Sequence, residues 1–195
     1  DAHSGYGLPI GGVLAVENAV IPYGVGMDIG CRMSLSILDT PISYLDGAKD
    51  KYEKALVENT KFGMSEVHKS VFDHEIFDRE TFNLIPILKR LKGKAIKQLG
   101  SSGGGNHFVE FGEVEITEED QQIRLPKGKY LGILSHSGSR GFGAEIAQYY
   151  SRVATEQCPL PKEAQNFAWL DLDSHLGWEY WMAMNLAGDY AKACH

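Results

Sequence analysis

Apolar positions along the 195-residue chain recur with two different periods. Met33-Ser34-Leu35-Ser36-Ile37-Leu38 alternates apolar and polar, which predicts a strand with one face buried. Phe108 to Val114 alternates in the same way, and Tyr130-Leu131-Gly132-Ile133-Leu134 predicts a fully buried strand. Val13-Leu14-Ala15-Val16 and Ala19-Val20-Ile21 predict two further short strands, making at least five. Helical spacing appears elsewhere. Leu45, Ala48, Tyr52, Ala55 and Leu56 predict a helix over 44–57 behind Ser43. Leu84, Ile85, Leu88, Leu91 and Ala95 predict a second helix that tolerates Pro86 near its start. Ala144, Ile146, Ala147, Tyr150, Val153 and Ala154 predict a third, and residues 178–194 a fourth. Residues 60–80 are polar, broken at Gly63, and predict an irregular segment. No repeat is present, and strands and helices do not alternate strictly. The pattern therefore predicts an α+β fold, mixed sheets packed with surrounding helices.

Composition narrows the class. A hydrophobic share of 43% and a charged share of 23% suit a soluble globular core. No apolar run approaches the roughly 18 residues that span a bilayer, and the start is not a signal peptide. The net charge of −7 argues against a wholly basic nucleic-acid coat, while leaving room for a local basic cleft. The cysteines Cys31, Cys158 and Cys194 do not form a disulfide framework, which points to a reducing, cytoplasmic setting. The chain opens at Asp1 inside a dense motif and stops within a helical pattern. This predicts one partial domain over 1–195, a piece of something longer.

The 22 glycines cluster at the amino terminus and between Gly100 and Gly143, where backbone must turn sharply or approach a ligand. Three glycine-flanked motifs carry metal-competent side chains: Asp28 with Cys31, His107 after Gly103-Gly104-Gly105-Asn106, and His136 ahead of Ser137-Gly138-Ser139-Arg140-Gly141. Asp28, Cys31, His107 and His136 form a plausible set for a divalent ion, with a thiolate able to bridge two. Ligand softness favours zinc or cobalt over manganese; the alternative is two core histidines satisfied by carbonyls. The Gly/Ser loops and a helix starting near Gly143 also suit phosphate oxygens, with Arg140 as a fork, although such turns commonly cap helices instead. His68 and His74 are expected to be solvated, and His175 to mark a helix start. The aromatic set Trp169, Trp178, Tyr180, Trp181 and Tyr190 reads as core or contact surface. Glu115, Glu118, Glu119 and Asp120 read as a solvated turn.

Asp1-Ala2-His3-Ser4-Gly5-Tyr6-Gly7-Leu8-Pro9-Ile10-Gly11 resembles the opening motif of the RtcB family of RNA-splicing ligases. Asp28-Ile29-Gly30-Cys31, Gly105-Asn106-His107-Phe108-Val109-Glu110 and His136-Ser137-Gly138-Ser139-Arg140-Gly141 resemble three more, in the family's order. The resemblance implies an RtcB-like fold, incomplete at both ends. It also implies a manganese- and GTP-dependent ligase that joins RNA 2′,3′-cyclic-phosphate or 3′-phosphate ends to 5′-hydroxyl ends, in transfer-RNA splicing or RNA repair. In that family GTP guanylylates a histidine, and GMP passes to the RNA 3′-phosphate before the 5′-hydroxyl attacks. By motif, Asp28, Cys31, His107 and His136 would bind two manganese ions, bridged by Cys31. Asn106 and Glu110 would contact the guanylate, Arg140 a phosphate, and Asp1 would orient the nucleophilic histidine. That histidine and a third metal histidine lie downstream of the Ser-Gly-Ser-Arg motif in the family; no residue here matches them, and Arg32 stands where glycine is usual. The chain alone is therefore expected not to ligate RNA. The other readings are a truncated relative that binds metal or phosphate without catalysis, and a metal-dependent phosphoesterase.

Overall fold

The computed structural model describes residues 4, 5, 7, 9–69, 71–119 and 124–195. In chain order they form β1 (Ala19–Val20), α1 (Pro22–Val25), β2 (Arg32–Leu38), α2 (Ser43–Gly47), α3 (Lys49–Asn59), α4 (Thr81–Leu84), α5 (Pro86–Gln98), β3 (Phe108–Ile116), β4 (Gly128–Ser137), α6 (Arg140–Gln157), β5 (Leu170–Asp171) and α7 (His175–Ala193). Short 3-10 turns occupy Glu75–Asp78 and Lys162–Phe167. The fold is α+β, as the periodicity predicts. β4 is the centre of an antiparallel sheet ordered β2-β4-β3, and β1 pairs with β5.

The sheet's register positions the chemistry. Arg32 pairs with Ser137, and Phe108 with His136. The start of β2, the end of β4 and the start of β3 therefore meet at one edge, so Cys31, His107 and His136 arrive there together.

The core lies among the helices. Ile87, Leu88, Leu91 and Ala95 give α5 one buried stripe, and α6 and α7 add Phe142, Ile146, Tyr150, Tyr180, Leu186 and Tyr190. Phe142 meets Phe82 at 5.6 Å and Tyr190 at 5.1 Å between ring centroids, within the range of favourable aromatic pairs.

Several sequence expectations are corrected. Residues 13–16 form no strand, and Val13 is 97% exposed, because a short apolar run with no pairing partner among the described residues cannot satisfy strand amides. The helix over 44–57 is two, broken where Ala48 adopts φ −145 and ψ 38. Central β4 is not buried throughout: Leu131 and Gly132 are covered, whereas Tyr130, Ile133 and Leu134 are half-buried. Tyr52 of α3 meets Phe111. The third helix starts at Arg140 rather than near Gly143. The polar segment 60–80 places Ile76 and Phe77 in the core.

Burial pushes the hydroxyls of Tyr150, Tyr180 and Tyr190 above the usual phenol range, with Glu179 adding to the effect at Tyr150. A folded-state pKa raised above the unfolded 10.0 gives stability that is present below pH 10 and lost above it. Tyrosinate absorbance from these rings is thus expected to rise together with loss of helical circular dichroism above pH 10. Their ionisation with the helices intact would contradict this placement.

Candidate metal centre

Asp28 and Cys31 sit in the tight turn between α1 and β2. The Cys31 amide donates to the Asp28 carbonyl at 3.1 Å. Gly30 takes φ +73, and a Cβ there would press on the Gly188 backbone of α7 at 2.9 Å, so glycine is required on both counts. Ile29 is buried and anchors the turn. Arg32 donates from Nε to the Gly30 carbonyl and from Nη2 to the Gly188 carbonyl, clamping the turn to α7. Arg32 thus has a structural role at this turn.

Both imidazoles are held the same way. His107 Nδ1 lies 2.6 Å from the Ser102 carbonyl, and His136 Nδ1 lies 2.9 Å from the Asn106 carbonyl. A carbonyl only accepts, so each Nδ1 donates to it and Nε2 is the ring atom turned toward the cluster. His107 Nε2 faces Asp28 Oδ2 at 2.6 Å. His136 Nε2 faces Cys31 Sγ at 2.9 Å, and His107 Nε2 lies 3.6 Å from the same sulfur. The ligand atoms of Asp28, Cys31 and His107 all fall within 4.8 Å of one another. A lone pair 2.6 Å from a carboxylate oxygen is repulsive unless a proton or a cation is shared between them. The donor chemistry fits a divalent metal, with the two carbonyls acting as the outer partners that fix metal-binding imidazoles.

Surrounding groups tune the site. Desolvation by the surrounding loops, then a hydrogen bond to Asp28 and that group's charge, push the Cys31 thiol up to about 12. Asp28 Oδ1 accepts from the Ser139 amide at 3.1 Å. The carboxylate packs so closely on Gly138 that a Cβ there would overlap it. Gly103 has φ +115, with His107 and Arg140 filling the space beside it.

The other candidates are distributed around this cluster. Asn106 is exposed, and its carbonyl holds His136. Glu110 is exposed on β3 opposite Leu134, on the same sheet face as His136. Arg140 is 7% exposed with φ 57; its Nε donates to Ser101 Oγ at 3.2 Å and its Nη2 to the Gly63 carbonyl at 3.0 Å. As placed, its fork ties two loops together inside the chain. Ser101 and Ser102, in the first Gly/Ser loop, are likewise buried. Asp1 lies outside the described residues.

The remaining histidines stand apart. His68 and His74 are half buried rather than fully solvated: His68 Nε2 lies 3.0 Å from the Gly100 carbonyl, and His74 Nδ1 accepts from the Ile76 amide. His175 opens α7, and His195 Nδ1 lies 2.7 Å from Ser135 Oγ. Sequence reasoning did not single out Gln98, whose Oε1 accepts from the Gly141 amide and whose Nε2 donates to the Met64 carbonyl. A lone glutamine in an amphipathic helix carries no signal of that kind. Ser137 was likewise missed as a brace: its hydroxyl donates to the same Ser102 carbonyl that holds His107.

Known proteins match along the whole chain. An RNA-splicing ligase RtcB homolog 1 from Entamoeba dispar is 27% identical over 99% of this chain and 43% of its own length. A tRNA-splicing ligase RtcB from Thermococcus kodakarensis is 27% identical over 99% of this chain and 48% of its own length. One from Aeropyrum pernix is 30% identical over 98% of this chain, again 48% of its own length. The chain thus spans about half the length of the curated relatives it matches. The family description "tRNA-splicing ligase RtcB" matches residues 1–84 and 79–195, and with motifs and fold in agreement, the chain belongs to the RtcB family.

Proposed function

We propose that this chain is the metal- and nucleotide-holding portion of an RNA ligase that joins 2′,3′-cyclic-phosphate or 3′-phosphate ends to 5′-hydroxyl ends, using GTP and manganese. The observation that carries the reading is the convergence of Asp28, Cys31, His107 and His136, each imidazole turned inward by a carbonyl on Nδ1. These four would hold the metal, which when bound supplies positive charge and Lewis acidity toward phosphate oxygens. Ser102 and Asn106 orient the two rings, and the Ser139 amide holds the second oxygen of Asp28. Glu110, on the face of the sheet that bears His136, offers carboxylate oxygens suited to the N–H donors of a guanine edge. The residue identities alone would accept zinc; manganese follows the family. The whole ligase would work in the cytoplasm on RNA ends. This chain lacks a match to the guanylylated histidine and is not expected to form the covalent nucleotide adduct alone.

Equilibrium dialysis of labelled GTP against the chain tests this reading. Binding is expected only with manganese present, and is expected to weaken at least about tenfold, a loss of about 1.4 kcal/mol, in N106A/E110A. GTP binding indifferent to manganese would contradict the reading. So would manganese-dependent release of inorganic phosphate, the signature of a phosphoesterase.

A further inference from the structure

The chain's charge of −7 conceals one helix of opposite sign. α5 carries five of the 19 basic residues (Lys89, Arg90, Lys92, Lys94 and Lys97), while all 26 acidic residues lie outside it. At about 100° per residue, Lys89, Gly93, Lys97, Arg90 and Lys94 fall within a sector of about 140°. All five of these positions are exposed. Gly93 lies among them facing open space, where a Cβ would meet nothing within 4 Å. Two of the five cations are already engaged: Lys92 lies 5.4 Å from the centroid of the Phe82 ring, and Lys94 is ion-paired with Glu145. Among the described residues Lys89, Arg90 and Lys97 have no ion pair, and Lys89 and Lys97 are about 12 Å apart along the axis.

The stripe is fixed relative to the metal centre. Gln98, at the end of α5, accepts at 3.1 Å from the Gly141 amide in the first turn of α6, just after the Gly138 that backs the Asp28 carboxylate. Lys94 also borders Gly141. The opposite face of α5 is spent on the core through Ile87, Leu88, Leu91 and Ala95, so no apolar face remains to enter a lipid surface.

We infer that the exposed face of α5, through Lys89, Arg90 and Lys97, binds the phosphate backbone of single-stranded RNA and leads it toward the Asp28–Cys31–His107–His136 cluster. The inference rests on the ligase reading for its choice of polyanion. Contacts of this kind are independent of sequence and weaken with salt through counterion release.

The test titrates fluorescent single-stranded RNA with the chain between 50 and 200 mM salt. Three phosphate contacts imply a slope of log affinity against log salt of about −2. K89Q/R90Q/K97Q is expected to bind at least about tenfold more weakly at the lowest salt, with most of that slope gone. Glutamine matches lysine and arginine in helix propensity, so the fold is retained. K89R/K97R, which keeps the charge, is expected to bind as the wild type does. Manganese uptake is expected to be unchanged in the triple variant. Loss of the stripe and loss of the metal site therefore read out separately. Unchanged RNA affinity and slope in the triple variant would overturn the inference, as would no RNA binding by the wild type at 50 mM salt. Anionic-vesicle binding that disappears in the triple variant while RNA binding persists would also overturn it, assigning the stripe to a membrane surface.

Discussion

Replacing Cys31 by alanine is expected to lower manganese affinity at least about 100-fold while leaving the fold intact. Losing an outer hydrogen-bond partner of a metal ligand typically costs about 10–100-fold, and a direct ligand should cost more. Cys31 lies at the open edge of the site, so its truncation removes little packing. The proton is part of the same prediction. The thiol is held up to about 12, so at neutral pH a metal must displace its proton, and affinity rises about tenfold per pH unit for the one proton released. Calorimetry in buffers of different ionisation enthalpy should register that proton in the wild type and miss it in C31A. A C31A chain that binds manganese as tightly as the wild type, with the same proton release, would remove the cysteine from the site.

The second large effect belongs to a glycine. In Gly103-Gly104-Gly105, three neighbours of one residue type face three different environments. At Gly103 the backbone takes φ +115, and a Cβ would overlap both Arg140 Nη1 and His107 Nδ1. G103A therefore combines backbone strain of about 1–3 kcal/mol with overpacking of about 1–3 kcal/mol. It also displaces His107 from the Ser102 carbonyl. At Gly105 φ is +71 but the space is open, so G105A bears the strain alone, of order 1 kcal/mol. At Gly104 a Cβ meets nothing within 4 Å and φ is not in the left-handed range, so G104A should lie within about 0.5 kcal/mol of the wild type. Thermal denaturation of the three variants checks the order. Equal losses would mean that the loop does not fit around Arg140 and His107 as described.

Much of this site was legible because its side chains are chemically distinctive and sit beside glycines. Asp28, Cys31, His107 and His136 could be named from residue type and flanking sequence, and the register of β2, β4 and β3 explains why they meet. What holds them was not legible. The Ser102 and Asn106 carbonyls that set the tautomers belong to backbone, which every residue carries. For Arg140 the sequence shows the charge but not that Ser101 and Gly63 accept two of its donors. Periodicity located α5, α6 and α7, whose apolar stripes bury a shared core. It failed at residues 13–16, where a short apolar run has no pairing strand among the described residues, and at Ala48, where the backbone leaves helical geometry between two short helices. The stripe on α5 is plain in the sequence once the helix is drawn, but a whole-chain charge of −7 averages it away.

The central claim is that Asp28, Cys31, His107 and His136 act together as one metal site. Manganese-edge X-ray absorption on the chain loaded with one equivalent tests it most directly. The predicted spectrum contains a sulfur scatterer from Cys31 together with imidazole nitrogens, and the sulfur shell disappears in C31A. A first shell of oxygen alone, identical in the wild type and C31A, would contradict the account.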